Sequence, residues 1–257
     1  MDRHWLITAW YVVALISIII LAKLLSLLLA KKRPEDQLKF FLFAPALSID
    51  TWKRARPLQQ NDVRRLLAQT LVVLPTMFAV YLWLPGAISH PRLPWFVRAY
   101  CAVVPFWVLT ETISLMTQLS FLPAKILIPS WHKQPWRSHT LAEFWGQRWN
   151  QLWSDWLRQV CFQPLRNMPG IGLIVAFAVS GGIHELLVNV PLWLVFRTNL
   201  FGTMCLYFLM QAGGIFIERI WLRQNAMANR VFLWAVVVGP VPLVLNEGTL
   251  RIFQFVS

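Results

Sequence analysis

Apolar residues in this chain gather into long runs instead of alternating with polar ones. The runs cover roughly Trp5–Ala30, Leu66–Leu84, Ala99–Leu122, Ile171–Phe196, Leu200–Leu222 and Val231–Leu245. A helix needs about 20 apolar residues to cross a hydrocarbon layer about 30 Å thick. Backbone polar groups inside lipid must be satisfied within the segment, which favours helices over isolated strands. The pattern predicts an all-α integral membrane protein with about six transmembrane helices, residues 1–257 forming one polytopic domain. Arg3 and His4 ahead of the first run resemble the start of a secretory leader. The run is longer than the roughly 7–15 apolar residues of a leader, and it ends in "LLLAKK" without a small-x-small cleavage site. It is read as a retained span, with Lys23 close enough to an end to snorkel.

Two connections depart from this pattern. "LKFFLFAPAL" (Leu38–Leu47) is too short to span and is broken by Pro45, so it is expected in the membrane interface. The connection Pro123–Gly170 is cut into short pieces by Pro123, Pro129, Pro135, Pro164 and Pro169. One piece, "LAEFWGQRWNQLWSDWLRQ" (Leu141–Gln159), holds four of the fifteen tryptophans. Leu141, Phe144, Trp145, Trp149, Leu152, Trp153, Trp156, Leu157 and Val160 recur at steps of three and four, opposite Glu143, Gln147, Asn150, Gln151, Ser154, Asp155 and Arg158. The spacing predicts an amphipathic helix in the headgroup plane, rings down and polar stripe toward water. Thr140 and Glu143 fit a capping box that would start it.

Composition agrees with lipid as the solvent, since 14% of the chain is charged and 57% hydrophobic, against about a quarter charged in soluble domains. The net charge of +13 invites a nucleic-acid reading until its placement is considered. The connections after the first, third and fifth runs hold eighteen basic residues, and the alternate loops and termini only five, Arg3, Arg92, Arg98, Arg197 and Arg251. Such alternation follows the positive-inside rule, predicting both termini outside and the 125–170 connection in the cytoplasm. Anionic lipid headgroups, and no nucleic acid, are the expected neighbours. Cys101, Cys161 and Cys205 show no paired spacing and read as small hydrophobes.

The fourth run carries "FAVSGGIHELLVN" (Phe177–Asn189). His184 lies thirteen residues beyond Ile171, about 20 Å along a helix rising 1.5 Å per residue, near mid-membrane. Ionisable groups at that depth are costly and face protein or a water-filled cavity. Ser180 precedes His184 by one turn, Gly181 and Gly182 leave room for close approach, and Glu185 and Asn189 follow. "HELLV" starts like a zinc motif, but Val188 stands where the second histidine would be, and no metal is expected. The residues leave three uses for His184: an interhelical hydrogen bond, a proton relay with Glu185 in a transporter or channel, and general acid–base catalysis. No internal repeat of the kind many transporters have is evident.

"EFWGQRWNQLWSDWLR" (Glu143–Arg158), followed by a span bearing "VSGGIHEL" (Val179–Leu186), resembles the wax synthase branch of the membrane-bound O-acyltransferases. Those proteins show E-F-W-G-R-R-W-N/H and then S-G-x-x-H-E in a span. The resemblance covers residues 141–189; Gln147 replaces an arginine common there, and the chain is shorter than most members. It implies a helical fold around a tunnel in a multi-pass protein of a bacterial inner membrane or the endoplasmic reticulum. Acyl-CoA would be co-substrate, with no cofactor, and the acyl group would pass to a hydroxyl of a lipid-like acceptor.

Carried over by position, His184 is the membrane histidine and Asn150 its companion. Thioester acyl transfer needs a base, an oxyanion donor and exclusion of water. His184 is the candidate base, and Asn150 the candidate contact to the thioester oxygen or to CoA. Ser180, Glu185, Trp149 and Asp155 are candidate supporting residues, and Arg148, Arg158 and Arg166 candidate partners for CoA phosphates. A short-chain donor with transfer to a glycan or secondary metabolite is the alternative within the same chemistry.

Overall fold

Each of the six apolar runs holds helix over most or part of its length in the computed structural model, which describes residues 3–29, 37, 40–41, 46–88, 93–222 and 225–255. The first half holds α1 (Arg3–Leu29), α2 (Ile49–Lys53), α3 (Gln60–Ile88), α4 (Trp95–Cys101) and α5 (Val103–Ser120). The second holds α6 (Leu141–Glu143), α7 (Gln151–Leu157), α8 (Pro169–His184), α9 (Val190–Phe196), α10 (Thr203–Trp221), α11 (Ala226–Val238) and α12 (Glu247–Ile252). Most of the interfacial segment expected at Leu38–Leu47 falls outside the described residues.

Among the described residues five helical segments are long and apolar enough to cross a membrane: Trp5–Leu29, Gln60–Trp83, Trp95–Ser120, Pro169–Phe196 and Ala226–Leu243. The run expected as another span, Leu200–Leu222, folds as α10 but is not one of these five. Its 19 residues include Gln211, Glu218 and Arg219. Gln211 is 0% and Glu218 6% exposed, while Leu71 and Trp83 on α3 are 77% and 80% exposed. Polar side chains are thus turned inward and large apolar ones outward, the distribution that lipid rather than water selects.

Prolines explain two interruptions. The ring of Pro105 conflicts with the carbonyl four residues back, at Cys101, where α4 ends before α5 resumes. Pro191 has no N–H for the Leu187 carbonyl, and a π-turn, Glu185–Asn189, joins α8 to α9 there. A two-stranded antiparallel ladder, Arg56–Pro57 with Ile126–Leu127, ties the first long connection to the second.

The amphipathic helix expected over 141–160 is not continuous. Thr140 Oγ1 accepts from the Glu143 N–H at 3.0 Å, so the expected cap forms. The Glu143 carboxylate reaches the His139 N–H at 2.8 Å rather than that of Thr140. The chain then makes a π-turn over Phe144–Arg148, becomes extended at Trp149 and turns left-handed at Asn150, φ 40° and ψ 63°. α7 starts afresh and ends in a second π-turn, Arg158–Phe162. Nor does the polar stripe of α7 face water. Gln151, Asp155 and Gln159 are buried. Asp155 accepts from Arg54 and from Thr51 Oγ1 on α2, and Gln159 is bonded to Ser26 of α1. The polar face holds α7 against α2, and the π-turn after it against α1.

α8 and α10 make the most extensive helix pair among the described elements. A Cβ on Gly181 would lie 2.8 Å from the Cys205 backbone, whereas a Cβ on Gly182 would meet nothing within 4 Å. Gly181→Ala should therefore separate the two helices and destabilise the protein by about 1–3 kcal/mol. Gly182→Ala should be neutral or slightly stabilising, because alanine is the better helix former by about 1 kcal/mol. Melting of the two variants in detergent checks the contrast.

Candidate active site

His184 ends the regular part of α8, and its Nδ1 lies 2.7 Å from the Ser180 carbonyl oxygen. With Nδ1–H donating there, Nε2 keeps its lone pair and is free to act as a base. The ring packs on Phe208 of α10, centroids 4.5 Å apart. Phe208 also meets Phe177, one helical face back along α8, and Trp145 of the first π-turn. One aromatic cluster therefore joins the two polar stretches, with Leu141, Phe144, Phe177, Tyr207 and Phe208 buried in it and Trp145 and Trp149 packed against it.

Two carboxylates fix the helices that carry this cluster. Glu185 Oε1 accepts from the Met204 and Cys205 N–H groups, at 2.9 and 3.2 Å, in the first turn of α10. Its Oε2 accepts from Asn189 Nδ2 at 2.7 Å, and Asn189 extends the network to Thr203 and Asn246. Toward the other end of α10, Glu218 accepts from the Leu141 and Ala142 N–H groups, at 2.9 and 3.2 Å, at the start of α6. Both sit where a helix N-terminus favours negative charge. Glu185 so engaged anchors α10 rather than orienting the imidazole. Sequence reasoning passed over Glu218, although a carboxylate within an apolar run is itself the signal.

Asn150 is placed by two main-chain links, Lys133 N–H to the Arg148 carbonyl at 2.9 Å and Gln151 N–H to the Trp131 carbonyl at 2.7 Å. Its buried Oδ1 has no hydrogen-bond partner among the described residues. Asparagine tolerates left-handed geometry better than most residues, so the turn gives this position a backbone reason as well as a chemical one.

The other candidates have defined partners. Ser180 contributes its carbonyl to His184. Trp149 stacks on Phe144, centroids 5.6 Å apart. Asp155 belongs to the α2–α7 contact already described. Arg148 donates to Glu143 Oε1 at 2.6 Å and to the Lys133 carbonyl, and Arg158 donates to the Gly146 carbonyl at 2.7 Å, bracing the π-turn. Burial opposes ionisation of Glu143, but the His139 N–H and Arg148 outweigh it and hold the carboxyl below its usual range. Arg166 is exposed. Burial pushes the Cys161 thiol up, in keeping with a small hydrophobe.

His132 was not singled out from the sequence. It is buried beside Trp149, ring centroids 4.7 Å apart, and neither ring nitrogen has a hydrogen-bond partner among the described residues. Burial pushes its pKa down to about 4. An imidazole that is harder to protonate folded than unfolded contributes stability that is complete above about 6.5 and is lost as pH falls toward 4. His132→Phe should flatten detergent melting profiles across that window, by at most about 1.4 kcal/mol per pH unit.

Residues 128–209 match the membrane bound O-acyl transferase family. A probable long-chain-alcohol O-fatty-acyltransferase of Arabidopsis thaliana is 28% identical over 130 residues, 45% of this chain and 37% of that protein. A long-chain-alcohol O-fatty-acyltransferase of Simmondsia chinensis is 32% identical over 106 residues, 36% of this chain and 30% of that one. A diacylglycerol O-acyltransferase of Oryza sativa subsp. japonica is 27% identical over 172 residues, 60% of this chain and 36% of that one. The chain thus spans about a third of the length of each of these three curated relatives.

Proposed function

We propose that this integral membrane protein is a wax synthase-like member of the membrane-bound O-acyltransferase superfamily, on the match of residues 128–209 and its likeness to long-chain-alcohol O-fatty-acyltransferases, and that it transfers an acyl group from acyl-CoA to the hydroxyl of a lipid-like acceptor. The observation carrying this reading is the joining of the Asn150 segment to His184 through Phe208, Trp145 and Trp149. It brings the two motif-bearing stretches into one aromatic cluster.

His184 Nε2 takes the proton of the acceptor hydroxyl as its oxygen attacks the thioester carbon. The Ser180 carbonyl holds Nδ1–H and stabilises the imidazolium that results. Asn150, placed by the left-handed turn, donates its amide hydrogens to the developing oxyanion. The C–S bond then breaks, and the imidazolium proton passes to the departing CoA thiolate. The surrounding tryptophan and phenylalanine rings exclude water, which would otherwise compete as acceptor. The positive-inside pattern favours the cytoplasmic side for the basic connections, where acyl-CoA is available, and α10 as a sixth crossing would put both termini on the opposite side.

The purified protein incubated with labelled palmitoyl-CoA and separate pools of long-chain alcohols, sterols and diacylglycerols tests this. Ester formation with at least one acceptor is expected. Proton-coupled flux in vesicles without any ester product would replace the reading with a proton relay through His184 and Glu185.

A further inference from the structure

Among the described residues, His132 is a buried ionisable side chain that this chemistry leaves without a task. Its side chain is 1% exposed, and both ring nitrogens lack hydrogen-bond partners among the described residues. A buried polar group left unsatisfied costs about 1–3 kcal/mol, and two on one ring call for an explanation. Distortion of the loop is not one, because the loop is firmly built. Ser114 Oγ of α5 accepts from the Trp131 N–H at 3.0 Å, and Ser130 Oγ donates to the His132 carbonyl at 3.0 Å. The main-chain links between 131–133 and 148–151 hold His132 against the Trp149–Asn150 corner, where Asn150 Oδ1 is also unsatisfied.

The neighbourhood is aromatic with a polar edge. Glu111 of α5 places Oε1 3.7 Å from His132 Nδ1, beyond a hydrogen bond, and accepts from Trp107 Nε1 at 3.3 Å. Trp107 in turn packs on Trp136, centroids 5.5 Å apart. A neutral imidazole offers one donor and one acceptor, and Asn150 Oδ1 offers an acceptor. The complementary ligand group is neutral and both donates and accepts. A hydroxyl has this character, and so does a secondary amide; a phosphate or carboxylate does not.

We propose that His132 is a substrate-binding residue that receives, beside Asn150, a neutral donor–acceptor group of one of the two substrates. The inference rests on the acyl-transfer reading. That reading supplies two sources of the group, the hydroxyl of the acceptor and the amides of the CoA arm.

His132→Phe keeps an aromatic ring against Trp149 and removes both nitrogens; His132→Gln restores one donor and one acceptor. Steady-state kinetics of both variants, with hexadecanol or the best acceptor found for the wild type and with palmitoyl-CoA, separates the sources. In His132→Phe we expect one KM to rise by about 10-fold or more, with kcat within about 3-fold of wild type and partial recovery in His132→Gln. A rise for the alcohol identifies the acceptor hydroxyl, and a rise for palmitoyl-CoA identifies the amides. The unliganded Phe variant should melt no lower than wild type, because an unsatisfied group has been removed. Both KM values unchanged, or a fall in kcat alone, would overturn the proposal and leave His132 to an ordered water. Should the Phe variant fail to fold, His132→Leu carries the same test. A wild type that transfers nothing, by contrast, would sink the acyl-transfer reading itself.

Discussion

Replacing His184 with alanine is expected to lower acyl transfer by at least 10²–10⁴-fold, the usual contribution of a general base, and in practice below detection. The difficulty is to separate a catalytic histidine from one that only fastens helices. His184 does have a fastening role available, since Nδ1 meets the Ser180 carbonyl within its own helix and the ring packs on Phe208 of α10. His184→Asn resolves the two. An asparagine amide can reproduce the Nδ1–H donor toward Ser180, but it has no basic nitrogen where Nε2 stood. A base requires both variants to be inactive while the asparagine protein melts near the wild-type temperature. An asparagine variant with near-normal turnover would return His184 to a structural role.

The sequence made the two chemical stretches legible, but not how they are held. That the run around His184 folds as a helix followed from its length and apolarity, because lipid demands internal backbone hydrogen bonds. The start of the tryptophan segment was legible for a similar reason, as a cap is local chemistry between Thr140 and Glu143. Its continuation was not. Projection onto a wheel assumes constant rotation per residue. A π-turn at Phe144–Arg148 breaks that assumption after three residues, and an inverted turn at Asn150 breaks it again. The partners of Asp155 and Gln159 lie about a hundred or more residues away, in α2 and α1, so a stripe that looked wet is buried. Gly181 and Gly182 look equivalent as text, and only the approach of Cys205 tells them apart. For Glu185 the sequence left two partners open, the neighbouring His184 and another span, and only the first turn of α10, with its two N–H groups, decides for the span. Each miss depends on contacts between distant segments, which periodicity does not encode.

Asn150 should prove nearly as sensitive as His184, with turnover falling by about 10²–10³-fold when its amide is removed, as for loss of an oxyanion donor. Alanine is the wrong probe on its own. The residue sits at φ 40° and ψ 63°, and a left-handed conformation costs most L-residues about 1–2 kcal/mol. Asn150→Ala would therefore mix backbone strain with lost chemistry. Glycine adopts this geometry without penalty, so Asn150→Gly keeps the corner between Trp149 and α7 while deleting the amide. If Asn150 serves the transition state, the glycine protein should melt close to wild type, bind palmitoyl-CoA with KM little changed, and lose its activity in kcat. If the amide instead holds the CoA arm in the ground state, KM for palmitoyl-CoA should rise and kcat at saturation should recover. Near-normal kinetics in Asn150→Gly would reduce the residue to its turn, with asparagine present only because the backbone there is left-handed.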